Sequence, residues 1–407
     1  MKQKNIKFIN GNICAPSGFK ASGISAKLKK SLKPDLAMIY SEVPATAAGV
    51  FTKNKVKAAP LLATRKNLKN GKLQAIIINS GNANACTGND GILHVKQTIN
   101  SVAKELMINP KDIGVASTGV IGVPLPIDTL IAGIPKLISS LDEKSGSDAA
   151  TAILTTDTFI KEAAIELALS DGSIIKIGGI AKGSGMIHPN MATMLAFVTT
   201  DVSITREALH KALILATENS FNMISVDGDS STNDMVLVMA NGYTQNKIID
   251  NINDPDWQLF YNGLLQLCIN LAKQIAKDGE GASKLITVNV SGAKTEKQAK
   301  QVAKSVVSSS LVKTAIFGND ANWGRIACAV GYSDSMINPH KLTIALDNLV
   351  LFENGMPIGF CENTASSLLD KPEVKININL GLGNKEGTSW GCDLTYDYVK
   401  INAAYRT

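Results

Sequence analysis

Strand-length apolar runs that alternate with amphipathic helical patterns predict an α/β protein, and a change of character beyond Gly281 predicts a C-terminal α+β domain. Along the chain, Leu36–Tyr40, Ala75–Ile78 and Met235–Met239 read as buried strands, each a short apolar run bounded by polar turns. Between them, His94–Leu106 places Val95, Ile99, Val102 and Leu106 on one helical stripe, and Thr205–Thr217 does the same with Leu209, Leu213 and Ala216. The longest helical pattern runs from Pro255 to Lys277, with Trp257, Tyr261, Leu264, Cys268, Leu271 and Ile275 on one face. Pro255 suits a helix start and Gly279 a stop, so Glu280 is expected just past the helix C-terminus. Beyond this point Leu285–Val290 alternates as a strand and Lys297–Ser308 forms a helix, while Leu342–Leu346, Leu349–Phe352, Val374–Leu380 and Leu394–Ile401 read as strands. The division expected is an N-terminal α/β domain over 1–282 and an α+β domain over 283–407.

A chain of 407 residues, 45% hydrophobic and 19% charged, can bury a large core and reads as an ordinary globular protein. Its net charge of +6 comes from 41 basic residues dispersed among 35 acidic ones, with no long basic block or aromatic-basic interleaving to mark a nucleic-acid surface. Lys297–Lys304 alternates with alanine and valine as the solvated face of a helix does. No apolar run reaches the ~20 residues needed to cross a bilayer, and Met1–Lys7 leads into no signal-peptide segment; a cytoplasmic location without a membrane partner is expected. Six scattered cysteines, Cys14, Cys86, Cys268, Cys328, Cys361 and Cys392, show neither a CxxC pair nor zinc spacing. Free, mostly buried thiols and no metal site are the expectation.

The most informative segment is 181–195, where a run of glycine, proline and asparagine leads through Ala192 and Thr193 into apolar residues. Cleavage of the Ala192–Thr193 bond would leave Thr193 with a hydroxyl nucleophile and a free α-amine, which titrates near ~7.7–8 and can act as its general base. An ordinary glycine-rich loop entering a strand has the same pattern. Ser117–Gly122 follows an apolar run; a Thr118 hydroxyl beside the closely approachable backbone of Gly119 could serve the oxyanion of acyl transfer, or the segment could be a strand-ending turn. Asn79–Gly88 reads as a tight loop or a site wall rich in amide donors. Val226–Asp234 lacks the Gly and Glu spacing of a calcium loop and reads as a polar loop beside a strand. A triad of Ser184 with His188 is disfavoured, because residues four apart in a glycine loop rarely meet at hydrogen-bond distance.

Taken together, Lys182–Leu195 resembles the signature of the ornithine acetyltransferase family of arginine biosynthesis. The resemblance covers essentially the whole chain, through Pro44–Thr52, Asn79–Gly88, Thr118–Gly119, Thr155–Asp157, Gly228–Asp234, Asp278–Gly281, Gly318–Arg325 and Ile401–Thr407. It implies self-cleavage before Thr193, giving an α chain of residues 1–192 and a β chain of residues 193–407. It implies Thr193 as nucleophile, Thr118 and Gly119 as oxyanion hole, and Thr156, Lys182, Thr193, Glu280, Asn402 and Thr407 as substrate-binding residues. Thr155 adjoins Thr156 and competes with it for that assignment. The implied reaction is a ping-pong transfer of acetyl from N2-acetyl-L-ornithine to L-glutamate, which exchanges one amide for another and needs no cofactor. The implied fold has sheets sandwiched by helices, as in a group of self-processing aminopeptidases, and the implied assembly is a heterotetramer of two α and two β chains.

Two alternatives stand beside this reading. An amidase of the same architecture would use water in place of glutamate, and a non-catalytic amino-acid-binding protein would keep its chain uncut. Matches at Lys182, Glu280 and Asn402–Thr407 favour the transferase, and the presence of Thr193, Thr118 and Gly119 favours retained chemistry. Some family members also acetylate glutamate from acetyl-CoA, and no residue of this sequence separates the two kinds.

Overall fold

The structure is a computed structural model, and it describes residues 6–188 and 194–404. Ala192, Thr193 and Thr407 therefore lie outside the described residues. The chain forms two compact units: one of residues 1–183, 189–222 and 230–271, the other of residues 184–188, 223–229 and 272–407.

In chain order the strands are β1 (Ile6–Ile9), β2 (Phe19–Ile24), β3 (Leu36–Phe51), β4 (Lys72–Asn82), β5 (Ile113–Val120), β6 (Lys161–Ala168), β7 (Ile174–Lys182), β8 (Leu195–Thr200), β9 (Ile224–Ser225) and β10 (Met235–Ala240). They are followed by β11 (Leu285–Ala293), β12 (Thr343–Leu346), β13 (Leu349–Glu353), β14 (Met356–Pro357), β15 (Glu373–Asn379) and β16 (Lys385–Cys392). In the first unit nine strands make one sheet in the order β1-β6-β7-β8-β10-β3-β4-β5, with β2 paired to β3. Alternation along β4 divides its apolar run between two faces. Ile76 and Ile78 join Phe197 and Leu237 on one side, while Ala75 and Ile77 join Val95, Val102, Leu130 and Ile134 from the helices Gly88–Leu106 and Ile127–Ser139 on the other. A strand buried on both faces has no polar alternation to show, which is why this one reads as a continuous apolar run.

The second unit holds a seven-stranded sheet in the order β14-β13-β12-β15-β11-β16-β9. Its core joins Ile286, Val288 and Val290 of β11 to Val302, Val306 and Val307 of the helix Glu296–Ser308. That helix begins where Thr295 accepts a hydrogen bond from the Gln298 N–H, a side-chain cap on an otherwise orphaned donor.

Each expected helix forms, and Pro255–Lys277 keeps its expected bounds. One expected strand does not. Leu394–Ile401 is instead the start of the helix Tyr396–Ala403, because Thr395 caps it by accepting from the Asp397 N–H and Asp397 pairs with Lys400 at 2.8 Å one turn on. The strand next to β11 on this side of the sheet is β16, which in turn pairs with β9 and whose two glycines interrupt its period. The thiols are free, but only Cys268 and Cys392 are buried. Cys86 sits in a loop, Cys361 precedes the helix Glu362–Leu369, and Cys328 lies on the outward side of the helix Trp323–Gly331, so all three are exposed. No helix among the described residues is long and apolar enough to cross a membrane.

Candidate functional site

In the first unit, β4 and β5 run parallel and bring Ser80 opposite Thr118 and Gly81 opposite Gly119, with a register shift at Asn82. Gly119 has φ +131°, and a Cβ there would lie 2.3 Å from the Gly81 carbonyl carbon and 2.6 Å from the Asn82 nitrogen. Only glycine fits a position that combines this backbone conformation with so close an approach. Side-chain amides hold the two segments together. Ser117 Oγ donates to Asn79 Oδ1 at 2.5 Å, and Asn79 Nδ2 donates to the Asn82 carbonyl at 2.8 Å. From the polar loop before β10, Asn233 Nδ2 donates to the carbonyls of Ala83 at 2.6 Å and Ser117 at 2.8 Å. The amides of this loop bind backbone, so their work is to place Thr118 and Gly119.

Lys182 is the last residue of β7 and is buried. Its ammonium donates to Thr155 Oγ1 at 2.7 Å and lies 3.8 Å from the Asp157 carboxylate. Thr155, rather than the adjacent Thr156, is thus the hydroxyl that Lys182 touches; Thr156 is half-buried in the same segment. Asp157 is the hub: Oδ1 accepts from Lys161 Nζ and from the Gly183 N–H, each at 2.7 Å, and Oδ2 accepts from the Thr155 N–H at 3.0 Å. Burial alone would push this carboxyl up, but the Lys182 and Lys161 ammonium groups and the hydrogen bonds outweigh it and hold Asp157 well below the usual carboxylate range. Lys29 stands nearby, donating to the carbonyls of Pro34 at 3.0 Å and Leu154 at 2.7 Å; burial, opposed by Asp35 and aided by the Lys182 charge, pushes its amine down to about 8. Lys182 lies farther from Asp157 than Lys161 does, which leaves its ammonium able to take a carboxylate ligand.

In the second unit, Glu280 follows the helix Pro255–Lys277 as expected and is buried. Asn402, on the helix Tyr396–Ala403, donates through Nδ2 to Glu280 Oε2 at 2.8 Å. Four residues earlier on that helix, Tyr398 has its phenol pushed up by burial and by the negative charges of Asp227 and Glu280. A buried carboxylate that accepts at Oε2 from a neutral amide keeps acceptor capacity for a cationic amine. Ser184 Oγ donates to the Asp278 carbonyl at 2.6 Å, whereas His188 Nδ1 pairs with Ser225 Oγ at 3.0 Å. The disfavoured Ser184–His188 triad is not formed.

The sequence profile of the ArgJ family matches residues 20–407. The chain belongs to the ArgJ family. The arginine biosynthesis bifunctional protein ArgJ of Symbiobacterium thermophilum is 50% identical over 404 residues, which are 99% of this chain and 100% of that protein. The protein of the same name from Caldanaerobacter subterraneus subsp. tengcongensis is 51% identical over 406 residues, 99% of this chain and 100% of its own. The crystal structure of arginine biosynthesis bifunctional protein ArgJ from Bacillus halodurans, 52% identical, is matched over 51% of this chain and 98% of that chain with a TM-score of 0.50.

Sequence reading of this ArgJ-family chain singled out Thr118, Gly119 and Lys182 but gave Asp157, Lys161 and Asp227 no role. A signal for Lys161 was present. Alternation along β6 places it on the same side as Ala163, Ile165 and Leu167, and a lysine at an inward strand position requires a buried counter-charge. Asp157 supplies it. Asp227 had no comparable signal for its hold on the Met186 and Ile187 N–H groups, because these lie far from it in sequence.

Proposed function

We propose that this ArgJ-family enzyme of arginine biosynthesis cuts its own chain between Ala192 and Thr193 and then transfers acetyl from N2-acetyl-L-ornithine to L-glutamate through the Thr193 hydroxyl. The observation that carries the reading is the family match over residues 20–407, with two curated relatives half identical along almost their whole length. The half-length solved relative adds support, since a chain matched over 98% of its length by 51% of this sequence is what cleavage near the middle leaves.

Self-cleavage hydrolyses one peptide bond, leaving a carboxylate on Ala192 and a free amine on Thr193. In the first half-reaction that amine takes the hydroxyl proton as the Thr193 oxygen bonds to the acetyl carbon. Thr118 and Gly119 stabilise the oxyanion of the tetrahedral intermediate. The acetyl C–N bond then breaks, and ornithine leaves with a proton on its α-amine. In the second half-reaction the α-amine of glutamate attacks the acetyl ester, loses a proton to the Thr193 amine and restores the hydroxyl. Lys182, oriented by Thr155 and Asp157, suits the carboxylate that both amino acids carry, and Thr156 lies between those two orienting residues in sequence. Glu280 and Asn402 suit an amine, and Thr407 is assigned with them to substrate binding.

An amide exchanged for an amide requires no cofactor. The word bifunctional in the names of the curated relatives supports a second reaction, acetylation of glutamate from acetyl-CoA. The mature protein is read as a cytoplasmic heterotetramer of two α chains, 1–192, and two β chains, 193–407. The test is a denaturing gel with N-terminal sequencing of wild-type and Thr193→Ala protein. Wild type is expected as two fragments, the second starting at Thr193, and Thr193→Ala as an intact, inactive chain. An intact wild-type chain that still transferred acetyl groups would sink the mechanism. Glutamate with acetyl-CoA, without acetylornithine, tests the second reaction; water as acceptor would appear as acetate release without acetylglutamate.

A further inference from the structure

The chain approaches the Ala192–Thr193 junction through Ser184–His188, and within the second unit this short segment is pinned on two sides. On one side, the Ser184 hydroxyl donates to the Asp278 carbonyl at 2.6 Å and the Glu280 N–H donates to the Ser184 carbonyl at 3.1 Å. Gly185 packs so closely there that a Cβ would lie 2.3 Å from Glu280 Oε2. On the other side stands Asp227. Its Oδ2 accepts from the Met186 N–H at 2.6 Å and its Oδ1 from the Ile187 N–H at 2.9 Å, while the Val226 N–H donates to the Ile187 carbonyl at 2.7 Å.

Between these attachments Met186 has φ +56°, a left-handed conformation that a non-glycine residue adopts at a cost. Of the three backbone N–H groups that Asp227 captures, one is that of Asp229 at 3.1 Å and the other two belong to Met186 and the residue after it, so the carboxylate holds the turn in its left-handed form. Burial pushes the Asp227 carboxyl up, against the backbone donors of Asp229, Met186 and Ile187. An acidic side chain committed to two consecutive backbone N–H groups upstream of a scissile bond has a positioning task rather than a chemical one.

We propose that Asp227 is a positioning residue for self-cleavage: by fixing the Met186–Ile187 backbone it sets the course on which the chain enters the segment that carries Ala192 and Thr193. The inference rests on the reading that the chain cuts itself at that bond. Geometry errors of about 1 Å at a reacting centre cost up to about a hundredfold in rate.

The experiment follows conversion of freshly translated full-length chain by pulse-chase and denaturing gel. Asp227→Asn, which keeps one acceptor oxygen, is expected to slow cleavage about tenfold, and Asp227→Ala about a hundredfold, while wild type is fully cut in parallel. Met186→Gly removes the conformational cost at this turn, so Met186→Gly/Asp227→Asn is expected to recover much of the lost rate. A merely structural Asp227 gives no such rescue. Wild-type cleavage rates in both Asp227 variants overturn the proposal, as does a slow Asp227→Asn chain that Met186→Gly leaves equally slow. Should Asp227→Ala fail to fold, the asparagine variant and its rescue decide the matter. A wild-type chain that stays uncut removes the reading on which the proposal rests, a different outcome from slow variants beside a cut wild type.

Discussion

Asp157→Asn perturbs the group that holds the Lys182 ammonium in place. The carboxylate and the Lys161 side chain are both fully enclosed, with Lys161 Nζ 2.7 Å from Oδ1 and Lys182 Nζ 3.8 Å from Oδ2. Asparagine keeps the size but cancels the charge, offers one acceptor oxygen instead of two, and turns an NH2 toward groups that are themselves donors. Lys161 retains the Phe159 carbonyl at 3.3 Å and the Phe159 ring at 4.9 Å, but its buried ammonium loses the Asp157 charge. Removing one partner of a buried pair costs about 3–5 kcal/mol, and that is the expected loss. Lys161→Met should cost less, because Lys182 still faces Asp157. The double variant Asp157→Asn/Lys161→Met removes both buried charges, so its cost is expected to fall short of the sum by about 1–3 kcal/mol. Urea unfolding of the four proteins at matched concentration gives the coupling, and steady-state kinetics with N2-acetyl-L-ornithine gives the functional side, where Asp157→Asn should raise KM. Costs that add to within about 0.5 kcal/mol would refute the pairing. An unchanged KM would refute the claim that Asp157 positions Lys182.

Gly119→Ala should lose about 1–3 kcal/mol from its backbone conformation alone and roughly a hundredfold or more in turnover, because the clash with Gly81 and Asn82 displaces the proposed oxyanion donors; single-turnover acetylation of the proposed nucleophile, Thr193, reads the second effect. His188 is held neutral by burial, with the Lys304 charge adding to it, and its imidazole is pushed down to about 4 from 6.5. Its folded value lies below the unfolded one, so stability is unaffected above pH 6.5 and falls as pH drops from 6.5 toward 4. The loss is on the order of 1–2 kcal/mol once solvent screening of the half-exposed ring is allowed for. His188→Gln should flatten that part of the stability profile in urea titrations at pH 4.5 and 7, and the chain should still be cut.

The amino-acid sequence by itself determined the local elements and the motifs. The helix Pro255–Lys277 is legible because its apolar stripe is long and its stops are chemical, and β4 because four consecutive apolar residues can only be buried. Thr118, Gly119, Lys182, Glu280 and Asn402 were legible as motif positions. What sequence could not carry was pairing across distance. Tyr396–Ala403 has too short an apolar pattern to distinguish strand from helix, and its cap at Thr395 decided the matter. The exposure of Cys86, Cys328 and Cys361 depends on which side of each segment packs, a property of neighbours that a lone cysteine does not encode. The choice of Thr155 over Thr156 as the hydroxyl on Lys182 is a matter of one residue's direction in a loop. The hold of Asp157 on the Gly183 N–H and that of Asp227 on Met186 and Ile187 arise because a buried charge must find its partner in space. Only the tertiary structure brings such partners within hydrogen-bond reach.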